Sequence, residues 1–457
     1  MDTHLAGASP PAHAADAAAL VATGAELARR GQLHPAEQSL RAALALAPGH
    51  VEARRRLALV MVEAGHRDEA ARLLHDELAT PAGVAWLDEQ IAALMHGTDL
   101  APAGRLAELS ARLRWGSDRW PASAALPPPA TVPNPLVSAA KLHHDADQLR
   151  YLIDRGVLEA DWRAIADDHD AIAARLRAAG VTGQAPLDAA GFARIGHVYN
   201  RQLYVRPTPR LPQALASTWS PAAVERQYLD RPPGVVVIDD FLHPDALAAL
   251  RAFCLESTVW SANRYAHGRL GAFFRDGFGC PLLLQIAEEL RAALPAVIGA
   301  RYPLRQLWGF KYDHTLPADA TTHADFAAVN VNFWLTPETA NLDDGSGGLI
   351  VYEADAPPEW DFHTYNGDPA LIHDYLRRQR ARRVRIPYRA NRAIIFNSDL
   401  FHATDAVRFR PGYVDRRVNI TMLYGQREGD VHHAPRPAAA GTGEVASWRS
   451  AAFRRSR

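Results

Sequence analysis

The chain changes texture near residue 232, and that change limits its fold more than any other feature. Before it, Ala, Leu, Arg and Glu dominate, with apolar residues at helical spacing. After it come short β-branched and aromatic runs separated by Pro, Gly, Asp and Asn clusters. A run of helices followed by a run of strands predicts an α+β multidomain protein. At 457 residues there is room for two or three domains.

The helical half repeats itself. Leu20, Gly24, Leu27, Gly31, Ala36, Leu40, Ala43 and Pro48 form one copy. Ala58, Met61, Gly65, Ala70 and Leu74 match its Gly24, Leu27, Gly31, Ala36 and Leu40 at an offset of about 34 residues. Small residues at 24 and 58 let paired helices approach. Gly31 and Gly65 end first helices, where glycine takes positive φ cheaply. Pro48 and Pro81 follow the second helices, which cannot continue through them. The pattern, over about residues 16–80, resembles tetratricopeptide (TPR) repeats. Two repeats are few for independent stability, so this unit is expected to pack on the rest of the chain.

The expected division is a TPR-like helical domain at 1–95, a helical connector at 96–230, a strand-rich domain at 231–430 and a loose tail at 431–457. Within the connector, PASAALPPPATVPNP (121–135) reads as an extended arm. Beyond it, helical spacing resumes from Leu142 to Leu176, with Gly180 and Gly183 as punctuation.

Charge excludes some functions. The formal net charge is −1, so no strong field attracts nucleic acid or an anionic membrane. The basic cluster Arg377 to Arg385 reads as a solvated face. No stretch of about 18 apolar residues lacks charge, so no span is expected. Cys254 and Cys280 form neither a disulfide framework nor a CxxC metal pair. They suit a reducing compartment, and with no secretory signal evident the expected location is cytoplasmic.

In the strand-rich part, helices are expected at Pro244–Cys254 and Leu282–Leu294. Strands are expected at Leu307–Tyr312, Ala328–Leu335, Gly348–Tyr352, Arg383–Pro387, Ala393–Phe396 and Val418–Tyr424. Many short strands with turn signals argue for a sandwich or jelly roll.

Four His-x-Asp triplets occur: His66–Asp68, His143–Asp145, His243–Asp245 and His323–Asp325. Only the last precedes an alternating strand, with Val329, Val331, Phe333 and Leu335 on one face and Asn330, Asn332 and Trp334 on the other. Residues i and i+2 share a strand face, so His323 and Asp325 can aim at one ion. His402, after the apolar strand Ala393–Phe396 and its polar turn, is the candidate third ligand. Two imidazoles and one carboxylate on one side of a transition metal leave positions open for substrate. His314 and His363 read as solvent-facing loop residues, and Trp308, Phe310, Phe333 and Trp334 as sheet core.

Over about residues 234–426 the chain resembles the 2-oxoglutarate- and iron(II)-dependent oxygenases, especially their prolyl 4-hydroxylase-like branch. The marks come in the family's order: GVVVIDDFLHPDALAAL, Lys311–Tyr312, His323–Asp325, GSGGLIVY, Phe396 to His402, and RRVNITMLYG. The resemblance implies a C-terminal double-stranded β-helix (jelly roll) with flanking helices. It implies that His323, Asp325 and His402 are metal-ligating and catalytic, with Tyr312 facing the co-substrate. It implies iron(II), 2-oxoglutarate and O2 as cofactors, with ascorbate as an accessory, and release of succinate and CO2. It also implies a basic residue on the last strand for the distal carboxylate. A buried carboxylate needs a cation, and an arginine fork suits it. Arg417 alternates with polar Asn419 and Thr421, whereas Arg416 alternates with Val418, Ile420 and Met422, so Arg417 is the choice, with Asn419 and Thr421 beside it. The segment between Ala354 and Arg383 is an insert that could line or cover the site.

The expected reaction is hydroxylation of a peptide or protein side chain, with the repeats presenting a surface to substrate or partner. Two other readings stand beside it. One is a TPR scaffold with a degenerate barrel. The other is a cupin-like metal enzyme that does not use 2-oxoglutarate.

Overall fold

The structure is a computed structural model and describes residues 10–116, 136–264, 268–316 and 322–427. The proline-rich stretch 121–135 and the tail 431–457 lie outside the described residues.

Six helices come first: α1 (Pro10–Arg29), α2 (Leu33–Leu46), α3 (Val51–Glu63), α4 (Arg67–Leu74), α5 (Pro81–Leu94) and α6 (Ala101–Trp115). Gly31 and Gly65 both take positive φ, +72° and +84°, in the turns after α1 and α3. A Cβ on Gly24 would meet Leu40 Cγ at 2.7 Å, so α1 and α2 touch because that side chain is missing. Ala58 holds the matching place in α3 and is fully buried. The Thr80 hydroxyl accepts from Gly83 N to cap α5.

The connector contributes β1 (Leu136–Val137), α7 (Ala139–Asp154), α8 (Trp162–Ala178), β2 (Ala185–Pro186), α9 (Ala189–Ile195) and α10 (Pro221–Asp230). Leu142, Leu149, Trp162, Ile172, Ile195 and Tyr199 form its own core.

The strand-rich part begins with β3 (Val236–Ile238), α11 (Pro244–Glu256), β4 (Leu270–Phe273) and α12 (Pro281–Ala293). It continues with β5 (Leu304–Lys311), β6 (Thr315–Leu316), β7 (Val329–Trp334), β8 (Leu349–Asp355), α13 (Phe362–Gly367) and α14 (Pro369–Arg378). It closes with β9 (Arg383–Ile386), β10 (Ala393–Asn397), β11 (Leu400–Thr404), β12 (Val407–Arg408) and β13 (Val418–Tyr424). The main sheet has the order β3-β10-β7-β13-β5-β4, and a smaller sheet the order β11-β8-β9. Every pairing in both is antiparallel.

The two faces of β7 separate as the alternation predicts. Val329, Val331 and Phe333 join the large core under α11 and α12. Trp334 turns the other way, into a core shared with Val351, Ile386, Phe396 and Leu400 of both sheets. The interior between the sheets is therefore where the polar Asn330 and Asn332 point.

The helical half does not stand apart. One apolar cluster runs from Ala17 and Leu40 through Leu106 to Leu284 and Met422. A Cβ on Gly104 of α6 would meet Leu284 Cδ1 of α12 at 2.5 Å. The extended backbone between α9 and α10 is satisfied by α12 side chains. Gln285 accepts from Leu211 N and donates to its carbonyl, and Glu289 accepts from Leu215 N.

Cys254 and Cys280 are both free and buried. Burial pushes the Cys280 thiol up to about 12, which leaves it unreactive near neutral pH. Among the described residues no helix is long and apolar enough to cross a membrane.

Candidate metal centre

His323 and His402 are far apart in sequence but form a backbone pair. His323 N donates to His402 O at 3.0 Å, and His402 N donates to His323 O at 2.8 Å. This antiparallel bridge brings the rings to a centroid separation of 4.5 Å. The sequence places His402 after a turn; the structure puts it on a strand of its own, β11, in the smaller sheet. The Asn, Ser and Asp at 397–399 make the reversal between β10 and β11.

Asp325 completes the group. Its Oδ1 lies 3.8 Å from His323 Nε2 and its Oδ2 lies 3.4 Å from His402 Nε2. One ligand atom from each of the three residues lies within 4.8 Å of the others, and no other group of three metal-ligating residues is found among the described residues. Donors each about 2.1 Å from one ion can be at most about 4.2 Å apart, so both carboxylate–imidazole distances suit a shared metal. Asp325 and His402 are buried and His323 is half-buried, which leaves the centre open on the His323 side.

Neighbouring groups orient these ligands. His402 Nδ1 lies 3.0 Å from the Leu400 carbonyl. A proton on that nitrogen serves the carbonyl and frees the Nε2 lone pair for the centre. Asn330 donates to Asp325 Oδ2 at 2.6 Å. Burial alone would push the Asp325 carboxyl up, but His402, His323 and Asn330 outweigh it and hold it below the ordinary carboxylate range. The other three triplets do not gather such a group. His66 and His243 sit at the N-termini of α4 and α11, and Asp145 pairs with Lys141 in α7.

A polar ladder leads inward from Asp325. Asn332 donates to Asn330 Oδ1 at 2.6 Å. Asn419 and Thr421 both donate to Asn332 Oδ1, at 2.9 and 2.7 Å. Beyond the ladder lies Arg417, fully buried, just before β13. Its Nε donates to Gly347 O at 2.6 Å and its Nη2 to Gly348 O at 3.2 Å. Its guanidinium lies over the Tyr312 ring at 4.6 Å and the Trp334 ring at 5.3 Å. Nη1 has no partner. No carboxylate among the described residues is within ion-pair distance of it. A buried cation without a counter-ion is costly unless a ligand supplies one.

Tyr312, beneath the guanidinium, has its hydroxyl 3.1 Å from Thr404 Oγ1. Burial works to raise the Tyr312 phenol, yet Arg417 and Arg269 overcome it and leave the group below its ordinary value. The surroundings of Arg417 therefore favour negative charge. Thr404 lies two residues after His402 on β11, the same strand face, and two residues span about 7 Å.

Arg416 points elsewhere, pairing with Asp313 at 3.3 Å and Asp147 of α7 at 3.5 Å. His314 and His363 are exposed, the latter on α13 rather than in a loop. Phe333 and Trp334 are buried, whereas Trp308 and Phe310 are half-buried on the interior face of β5, packed against the edges of the core.

Sequence reasoning did not single out Thr404, or Asn330 and Asn332 as ligand supports. The i+2 relation to His402 and the polar face of β7 were the available signals. It also missed the grip of the insert on the ligand loop. Tyr365 O accepts from Ala324 N at 2.9 Å, and Asn366 Nδ2 donates to Ala324 O at 2.9 Å. Both backbone groups of the residue between His323 and Asp325 are thereby held by α13.

No family model matches this sequence. No curated protein matches it either. Among solved structures, the chain is similar to a Pseudomonas putida prolyl-4-hydroxylase at 15% identity, over 45% of this chain and 99% of that one, with a TM-score of 0.28. It is similar to EctD from S. alaskensis with bound Fe at 15% identity, over 48% and 84%, with a TM-score of 0.30. It is also similar to the epimerase SnoN in complex with Fe3+, alpha ketoglutarate and nogalamycin RO, at 15% identity over 50% and 94%, with a TM-score of 0.31.

Proposed function

We propose that this chain is an iron(II)- and 2-oxoglutarate-dependent oxygenase with a double-stranded β-helix, hydroxylating a peptide or protein side chain. One observation carries the reading: a buried Arg417, whose Nη1 has no hydrogen-bond partner among the described residues, lies at the far end of the polar ladder that starts at Asp325 of the His323–Asp325–His402 group. A diacid chelated at one end by a metal needs such a cation for its other end.

Iron bound by the triad, together with 2-oxoglutarate and O2, would supply the oxidation that hydroxylates a C–H bond and releases succinate and CO2. The chain's own residues do the positioning. His323, Asp325 and His402 hold three neighbouring ligand directions and leave the others open. Asn330 fixes the carboxylate, and the Leu400 carbonyl fixes the His402 tautomer. Arg417 takes the distal carboxylate, with Tyr312 and Thr404 offering hydroxyls beside it. Trp334, Val351 and Phe396 wall the interior and keep water out. The half-buried Trp308 and Phe310 offer an aromatic wall to an extended substrate, which supports a peptidyl, prolyl hydroxylase-like reaction.

Uncoupled turnover tests the reading. Purified protein with iron(II), ascorbate and 2-oxoglutarate is expected to release succinate slowly, and Asp325→Ala to release none. Iron binding without succinate release would favour a cupin-like enzyme. Absence of both would favour a scaffold.

A further inference from the structure

A second cavity opens where the N-terminal helices meet the main sheet. It measures about 150 Å³, and its lining includes His96, Arg275, Arg305, Gln306, Phe326 and Gln426. Strand register fixes its place relative to the triad. Gln306 pairs with Leu423, Leu423 pairs with Asn330, and Asn330 donates to Asp325. Two strand spacings are about 10 Å. Phe326 follows Asp325 directly. The cavity thus adjoins the metal centre while lying at the other end of the polar ladder from Arg417.

Its chemistry is one-sided. The lining holds two guanidiniums and an imidazole but no carboxylate. Arg305 Nη1 donates to His96 Nε2 at 2.6 Å, so the imidazole is neutral. Burial, then Arg305 and Arg291, hold His96 below its ordinary value. Among the described residues no carboxylate is within ion-pair distance of Arg305. Among the described residues the one carboxylate within ion-pair distance of Arg275 is Asp88, at 3.8 Å, which is shared with Arg114 at 3.7 Å. Half-buried guanidiniums short of counter-ions form a ready oxyanion site, because the arginine fork matches carboxylate or phosphate oxygens. The co-substrate does not need this site, since Arg417 serves its distal carboxylate.

We propose that the cavity formed by His96, Arg275 and Arg305 binds an oxyanion, carboxylate or phosphate, carried by the substrate. The inference rests on the oxygenase reading and narrows its substrate class to peptides bearing acidic or phosphorylated side chains.

The test is calorimetric titration of the full chain, held anaerobically with iron(II) and 2-oxoglutarate so that the triad and Arg417 are occupied. The probes are inorganic phosphate and an acetylated, amidated tetraglutamate peptide. At least one probe is expected to bind, with roughly tenfold weaker binding in Arg305→Gln and a smaller loss in Arg305→Lys. Arg275→Gln repeats the test on a second residue, and thermal melts check that each variant folds. Binding of phosphate alone assigns a phosphorylated substrate, and binding of the peptide assigns an acidic one. If neither probe binds the wild type, or if both glutamine variants bind as well as it does, the proposal is overturned. No turnover enters the readout. A chain that binds the probes but releases no succinate therefore defeats the oxygenase reading and leaves the oxyanion site standing.

Discussion

The N-terminal helices and the two sheets place their polar side chains in opposite places. In the helices, charge stays mostly outside, with Glu77 the exception: Arg41 pairs with Glu37 and Glu69, and Arg105 with Glu63, all at least partly exposed. Their interior is Ala, Leu and Gly, packed at contact distance. Between the sheets, Asp325, Asn330, Asn332, Arg417, Asn419 and Thr421 are all buried. Burying so many polar groups is costly unless they bond to one another or to a ligand. The helical half is held by apolar packing, and the sheets enclose a connected set of polar side chains.

The contrast can be broken most directly at the triad. Asp325→Ala is expected to weaken iron binding by at least about 100-fold while changing the melting temperature little, measured by metal titration and calorimetry. A large loss of fold stability with iron binding intact would reverse the roles assigned to the two regions.

Arg417→Met comes next. It is expected to raise the 2-oxoglutarate requirement of succinate release by roughly 10- to 100-fold, with iron affinity preserved. An unchanged requirement would remove Arg417 from the co-substrate site.

The helices should answer differently. Gly24→Val places a branched side chain against Leu40 and is expected to cost about 2 kcal/mol, seen in denaturant unfolding, with iron affinity unchanged. A loss of iron binding in that variant would show that the two regions are coupled more tightly than packing requires.

The smallest effect is at Glu77, the buried carboxylate of the helical half. Burial would raise its carboxyl, but the ion pairs with Arg54 at 2.8 Å and Arg55 at 2.9 Å lower it instead. A depressed folded value means that this stabilisation is complete above the unfolded value, near 4.3, and is lost as pH falls through the folded one. Glu77→Gln is therefore expected to be less stable at pH 7 yet to lose less between pH 5 and pH 3. Parallel pH–stability curves would rule out this ion-paired role.

Much of this arrangement could be read from the sequence, for identifiable reasons. Period-two alternation marked β7 and β13, because each has an apolar face in one core and a polar face in the interior. The glycine turns at 31 and 65 were legible because few other residues take positive φ. The strand under His402 was not, because Asn397, Ser398 and Asp399 signal a turn and the five residues of the strand after it are too few to show a period. The extended segment between α9 and α10 was not, because its backbone partners are side chains of α12, distant in sequence. Nor was the His96–Arg275–Arg305 cavity, whose members come from three separate elements and carry no local motif.

The most direct measurement is paired anaerobic titration of the full chain, first with iron(II) and then with 2-oxoglutarate. One iron per chain is expected, with 2-oxoglutarate binding that requires both the iron and Arg417. Iron binding that survives Asp325→Ala, or 2-oxoglutarate binding indifferent to the metal, would contradict it.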